Sequence, residues 1–558
     1  MSDKNPDNFD VVIIGTGING AGVFRDLCAQ GLRCLIIDKG DFGSGTSAAP
    51  SRLIHGGLKY LETGELRLVA ESTYERNLLL RNAPHLVNPL PTVIPVYSWA
   101  KGLWAAIRTL FGSTTAPRSR GALIVKIGLT LYDFYGSRAR QMPRHRMMGR
   151  KRALDDMPNL TPRIVAVGTY YDAAITAPER LVFELVDDGM GLSVGAEALN
   201  WSAMTGYKDK AIQLSLADGS TRAVTTKLVI NAAGPWIDSV NTCLGSPTKL
   251  IGGTKGSHIL LDHPELLRQL NGRMIYFEGD DGRILLAFPH HGRALVGSTD
   301  IPADNPDDVT CSETEIAYFM HSLMELFPGL DFNTSQIVYT YSGIRPLPAS
   351  DGVAPGLISR DHSAPVLPPA NGRDFPVICL VGGKWTTFRA FAAEVADMAL
   401  SELSVVRRQS TDSMPIGGGR GMPSGNRDRA AWCNVAAQQA NVSPQRMETL
   451  LGRYGTTASK IVRLEGPSPT LLPDTENFSE AEIRWICENE HVVRLEDILL
   501  RRTPLAITGQ LTAPLCRRVC EIAANSLSWS DERREVELGK LAELLSARHG
   551  VYLDLTVE

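Results

Sequence analysis

FDVVIIGTGINGAGVFRDLCAQGLRCLIID, residues 9–38, is the stretch that decides the fold. FDVVII is a short run of apolar, largely β-branched residues, as suits a strand buried on both faces. Gly15, Gly17 and Gly20 follow as GxGxxG, and the next segment carries apolar residues at helical spacing before a second strand, CLIID, ends at Asp38. Strand, glycine turn, helix and strand within about 30 residues make a βαβ unit, the setting in which such a turn binds a dinucleotide. Gly15 permits the tight turn, Gly17 lets the backbone approach a pyrophosphate, and Gly20 lets helix and strand pack closely. The helix start then offers N–H groups and a positive dipole end to phosphates. Asp38, 18 positions after Gly20, stands where a carboxylate accepts hydrogen bonds from ribose hydroxyls.

Two distant segments bear on which dinucleotide is bound. LVINAAGPW, 228–236, is a strand ending in small residues, so the backbone at Ala233 and Gly234 can approach a cofactor. VICLVGGKWTTFR, 377–389, is another strand running into Gly382, Gly383 and a helix start, able to direct N–H dipoles at the pyrimidine end of a flavin. Three glycine-marked approaches to one ligand suit a long, extended cofactor.

Outward from these segments, the expected fold class is α/β: a Rossmann-type FAD-binding domain with an antiparallel β-rich substrate domain and a helical C-terminal domain. Strands around 193–230, 257–261, 274–288 and 293–297, bounded by DG, GD and HG turns, read as the substrate domain. These two interleaved domains are expected to span 1–407, the FAD-binding one discontinuous over roughly 8–80, 150–250 and 340–407. Residues 408–427, rich in Gly, Ser, Pro and Arg, read as a linker, and 428–558 as the helical C-terminal domain.

The chain has 558 residues, 43% hydrophobic and 21% charged, with 51 glycines, as in an ordinary folded protein. A net charge of -4 offers no global field for nucleic acid, so an anionic ligand needs a local cluster of bases. Nine cysteines lack CxxC or zinc-ligand spacing, so no metal is expected and the thiols read as reduced. The polar start MSDKNPDNFD is unlike a secretory signal, and no run reaches the roughly 18 apolar residues of a spanning helix. The expected location is cytoplasmic, peripheral on the inner face of the membrane.

GSGTSAAPSRLIHGGLKYLETGELRLV at 43–69, NAPHLV at 82–87, INAAGPW at 230–236, SGIRPL at 342–347, SRDH at 359–362, GGKWTTFR at 382–389 and LLRRTPL at 499–505 resemble the FAD-dependent glycerol-3-phosphate dehydrogenases. The likeness covers nearly the whole chain. It implies non-covalent FAD, oxidation of a secondary alcohol to a ketone, and electron transfer to a membrane quinone. It also implies cofactor contacts at Ile18 and Asn19 beside the glycines, at Lys39, Thr46 and Ser47 after Asp38, at Arg52, His55, Gly56 and Gly57, and at Lys384, Thr386 and Thr387.

Substrate chemistry adds further demands. A phosphate dianion calls for guanidinium and ammonium groups; by resemblance Arg345, Arg360 and Lys384 hold substrate, and Arg389 is a weaker candidate that equally suits an ion pair. A hydroxyl proton must leave with the hydride, which calls for a base near the working pH. His258 in GTKGSHI and His55 in LIHGG are the two candidates. Lys59, beside Tyr60, stands where many relatives carry arginine, leaving phosphate contact there open. His290 and His291 stand where relatives often show Pro-Trp, and a polar wall there favours a longer polyol phosphate such as erythritol phosphate.

Residues 98–136 interleave Trp99, Trp104 and Phe111 with Lys101, Arg108, Arg118, Arg120 and Lys126, a pattern for lying in an anionic bilayer interface or for packing on the protein itself. Passing electrons to oxygen instead of quinone, an amine-oxidase chemistry, or flavin binding without turnover are the rival readings. The helical C-terminal domain suits a homodimer contact or a cap, and both stay open.

Overall fold

The structure is a computed structural model, and it describes residues 7–58, 65–99, 121–136, 142–303, 305–349 and 361–555. Strand Asn8–Ile14 lies between Cys34–Ile37 and Thr221–Asn231, parallel to both, and Val377–Cys379 and Glu197–Leu199 extend the sheet to either side. Val11, Val12 and Ile13 are fully buried, each worth about 1.5–3 kcal/mol relative to exposure. Helices Ile18–Ala29, Pro178–Leu192 and Phe388–Glu402 cover one face in a common core with the sheet. The 193–230 strands thus belong to this sheet and not to the substrate domain. Continuous apolar runs such as LVI at 228–230 are what a strand buried on both faces requires.

A second, mixed sheet runs Ile301–Pro302, Ile251–Leu261, Arg293–Gly297, Ile284–His290, Met274–Glu278, Val87–Val96, Ala166–Ile175 and Leu53–Ile54. Ile337–Pro348 pairs antiparallel with Ile251–Leu261 along its length, bringing Arg345 opposite Thr254 and Tyr341 opposite His258. Strand Val87–Val96 is internal despite three prolines. Pro89, Pro91 and Pro95 alternate, so the missing N–H donors fall on one edge; Val93, the member of that series with an N–H, pairs with Ile275.

The C-terminal helices pack on this second sheet: Leu260, Phe288, Leu295, Tyr339 and Tyr341 share a core with residues 472–555. The 408–427 segment, read as a linker, lies against the first helix. Gln30 holds the backbone of Arg408 and Gln409, and Arg25 donates to Pro415 O at 2.7 Å. Among the described residues no helix is long and apolar enough to cross a membrane.

Candidate active site

A cavity of about 680 Å³ opens between the two sheets, within the range of small-molecule and cofactor sites. Its first wall comes from the βαβ turn. Gly15 has φ +103°, and a Cβ there would meet the backbone of Ala232 and Ala233, so the two glycine-marked turns touch. A Cβ on Gly20 would strike the carbonyl of Gly15, the close helix–strand contact its place in the motif requires. Ser47 Oγ accepts from Ile18 N at 2.9 Å and stands 3.2 Å from where a Gly17 Cβ would project. Asp38 Oδ2 accepts from Thr16 N at 2.7 Å and Thr16 Oγ1 at 2.8 Å, and burial pushes its carboxyl upward against those bonds.

Beside that wall, after a parallel strand of the same sheet, Gly382 and Gly383 take φ of +74° and +93° before helix Phe388–Glu402, and Lys384 and Trp385 line the cavity next to them. A Cβ on Gly383 would press on the Asn19 amide at 2.9 Å, while Asn19 Oδ1 is buried with no hydrogen-bond partner among the described residues. A narrow cradle cleared by glycines, a helix N-terminus and an unsatisfied amide oxygen fit a dinucleotide. Ile18, Asn19, Lys39, Thr46, Ser47, His55, Ala233 and Gly234 also line the cavity. Lys39 pairs with Asp307 at 2.9 Å and sits over the Trp236 ring.

The second sheet supplies the polar end. Arg345 donates to Thr299 O, Asp300 Oδ1 and Ser298 Oγ, each at 3.0 Å. His258 is buried, stacked on Tyr341 with ring centroids 4.7 Å apart, and its Nε2 lies 2.8 Å from Ser51 Oγ. Its Nδ1 has no partner among the described residues. Burial first, then the positive charges of Arg345 and Arg52, hold His258 well below the usual imidazole range, so it is neutral at pH 7. Two glycines make the room: a Cβ at Gly256 would strike the Arg345 guanidinium, and one at Gly297 the His258 ring. His55 lines the same cavity, its N–H and C=O both at 3.2 Å from Thr386 Oγ1.

Several expected contacts lie elsewhere. Arg52 is buried in a pair with Glu179 at 2.7 Å and stacks near Tyr341, behind the cavity wall, because an uncompensated buried guanidinium is costly and Glu179 is its partner. Gly56 donates to Tyr132 Oη and Asp172 Oδ1, and neither it nor Gly57 lines the cavity. Thr386 and Thr387 are buried in the turn that begins helix Phe388–Glu402. Arg389 is held by Glu75 and by Asp412, the ion-pair alternative. His290 is buried against Phe288 and His291, and His291 Nε2 faces Thr176 O at 3.1 Å. Neither lines the cavity, so the polar wall expected from them is not formed there. Lys59, Tyr60 and Arg360 lie outside the described residues, as do Trp104, Phe111, Lys101, Arg108, Arg118 and Arg120.

Ser51, inside the quoted PSRLIHGG run, escaped the sequence reading; only its distance to His258 reveals it. Ser298, Thr299 and Asp300, which brace Arg345, carry no sequence signal beyond a GSTD turn.

Residues 10–398 match the family described as FAD dependent oxidoreductase, and 409–534 match the C-terminal domain of alpha-glycerophosphate oxidase. A glycerol-3-phosphate dehydrogenase of Synechocystis sp. is 31% identical over 96% of both chains. The D-erythritol 1-phosphate dehydrogenase of Brucella abortus is 30% identical over 89% of this chain and 94% of its own. The glycerol-3-phosphate dehydrogenase structure from Bacillus halodurans, complexed with FAD, shares the fold with TM-score 0.74 at 21% identity, covering 98% of this chain and 96% of that one. The cofactor is FAD, and the chain belongs to the FAD-dependent glycerol-3-phosphate dehydrogenase family of oxidoreductases.

Proposed function

We propose that this protein oxidises glycerol 3-phosphate to dihydroxyacetone phosphate and passes the electrons to a membrane quinone. The observation that carries the reading is the convergence of Arg345, Lys384, His258 and His55 on one cavity whose other wall is the glycine cradle. Bound FAD supplies the hydride-accepting centre. The protein's own residues do the rest. Arg345 and Lys384 grip the phosphate, with Arg360 and the Lys59–Tyr60 pair as further contacts. The substrate hydroxyl gives its proton to the Ser51–His258 pair: Ser51 Oγ passes it to the neutral imidazole 2.8 Å away. A phosphate dianion beside Arg345 offsets one of the cations that depress His258, so substrate arrival makes the imidazole a better acceptor. His55 is the alternative base. The cofactor contacts are those lining the cradle, Gly15, Gly17, Asn19, Asp38, Ser47, Ala233 and Gly383 foremost.

A second reading, a dehydrogenase of erythritol phosphate, is favoured by the Brucella abortus relative. Anaerobic bleaching of the yellow protein by a panel of polyol phosphates decides the substrate; slower bleaching by glycerol 3-phosphate than by the tetritol phosphate overturns the first reading. Peroxide formed under air in proportion to turnover overturns the quinone reading in favour of an oxidase.

Peripheral membrane contact on the inner face belongs to the same proposal. Helix Ala122–Tyr135 carries Leu123, Ile127, Leu131 and Phe134 exposed at helical spacing, with Trp99 exposed as well. Flotation with anionic liposomes tests it: an intact protein that stays behind at low salt sinks the idea.

A further inference from the structure

The C-terminal region reaches back to the cofactor cavity through a buried charge cluster. Arg502 forks onto Asp41, Nη1 to Oδ2 at 2.7 Å and Nη2 to Oδ1 at 2.9 Å, and Arg501 Nε adds a bond to Oδ2 at 2.6 Å. The side chains of Asp41 and Arg502 are 0% exposed. Asp41 lies between Lys39 and Gly40 on one side and Ser44, Thr46 and Ser47 on the other, all cavity-lining residues. A second connection runs beside the first. Asp497 accepts from Arg501 Nη2 at 2.6 Å and from Trp201 Nε1 at 3.2 Å, and Trp201 N donates to Gly40 O at 2.8 Å. Asn200 Nδ2 joins the two, donating to Asp41 Oδ1 at 2.9 Å and to His491 O at 2.8 Å. Ser202, two positions after Asn200, lines the cavity and donates through its backbone to Asp38 O at 2.7 Å.

Two loops that wall the cavity, 38–47 and 199–204, are therefore fastened from behind by one short segment, 460 positions from Asp41 at Arg501 and 296 from Trp201 at Asp497. Ring contacts join the same segment to both loops: Phe42 packs tilted on His491, and Arg494 sits over the Trp201 ring at 3.6 Å. Buried ion pairs contribute little net stability, but removing one partner leaves the other as an uncompensated buried charge. We propose that Arg501 and Arg502 are positioning residues, a clasp by which the C-terminal region holds the two loops closed on the cofactor and sets how fast FAD leaves. The clasp rests on the reading that FAD lies along the Gly15–Asp38 groove.

The test measures FAD release from the full-length holoenzyme by the rise of free-flavin fluorescence on dilution. Arg502→Lys and Asp41→Asn are expected to speed release about tenfold or more, since loosened contacts act mainly on the off-rate. The turnover number at saturating FAD should stay within about twofold, because neither residue touches the reacting atoms. Glu482→Gln is the control: it removes an equally buried carboxylate from the Arg446–Arg453 cluster of the same region, which does not contact the loops. Its release rate should match the unmodified protein. If Arg502→Lys does not fold, Arg501→Lys and the isosteric Asp497→Asn carry the same measurement. Unchanged release in folded Asp41→Asn, or equal acceleration by Glu482→Gln, overturns the clasp. Asp38→Ala separates the two readings: if it keeps FAD as tightly as the unmodified protein, the placement of the cofactor is wrong, whereas a clasp failure beside a strong Asp38 effect condemns the clasp alone.

Discussion

Arg345→Lys keeps the positive charge and removes the fork, which isolates what the guanidinium geometry contributes to phosphate recognition. Arg345 is held by Ser298 Oγ, Thr299 O and Asp300 Oδ1, so its position is fixed before substrate arrives and little ordering cost attends binding. A hydrogen bond to a charged group is worth about 1.5–3 kcal/mol. Losing one such bond to phosphate predicts a fall in kcat/KM of about 10- to 150-fold for flavin reduction. Anaerobic stopped-flow reduction by glycerol 3-phosphate reads this directly, with glycerol as the unphosphorylated comparison. Arg345→Met carries a second, signed consequence. Arg345 is one of the two cations that lower His258, so removing its charge raises the imidazole pKa and moves the acid limb of the pH profile to higher pH. Arg345→Lys should leave that limb in place. A loss below about threefold in Arg345→Lys, or an equal loss with glycerol, refutes the phosphate role.

Ser51→Ala leaves both ring nitrogens of His258 without a partner among the described residues, and the rate of flavin reduction should drop about 10- to 100-fold with KM little changed; an unaltered rate shifts the base to His55, which His55→Ala then tests. Gly20→Ala sets a methyl against the Gly15 carbonyl, a backbone atom that cannot yield alone, so the purified protein should carry FAD at well under full occupancy, read from its absorbance ratio. His549, stacked on Tyr339 and bonded to Thr340 O, is held at about 4, chiefly by burial. Folded His549 stays neutral while the unfolded chain protonates near 6.5, so stability is full above pH 6.5 and falls as pH drops from 6.5 to about 4. The slope is about 1.4 kcal/mol per pH unit for each such histidine; urea midpoints between pH 7.5 and 5 should show a shallower decline in His549→Asn, and an identical decline refutes the assignment.

The βαβ unit was legible because it is local. Its strand, turn and helix signals lie within residues 9–38, and each glycine's task follows from the backbone alone. The cavity ends of LVINAAGPW and VICLVGGKWTTFR were legible for the same reason. The strand at 87–96 was hidden by its prolines, whose cost vanishes only because the neighbour along that edge pairs at Thr92 and Val93. Arg52 could not be sorted from Arg345 by sequence, since both lie in marked motifs. Which guanidinium meets a carboxylate in the interior and which faces the cavity depends on Glu179 and Asp300, 127 and 45 positions away.

The sequence by itself determined the cofactor class, the glycine cradle and the presence of histidine and arginine suited to an alcohol phosphate, because backbone conformation and residue chemistry are short-range properties. Only the tertiary structure decided that Ser51 partners His258, that His290 and His291 stand away from the cavity, and that LLRRTPL grips Asp41. Those outcomes depend on side chains distant in sequence meeting in a dry interior, where a charge or hydrogen-bonding group is tolerated only beside its partner.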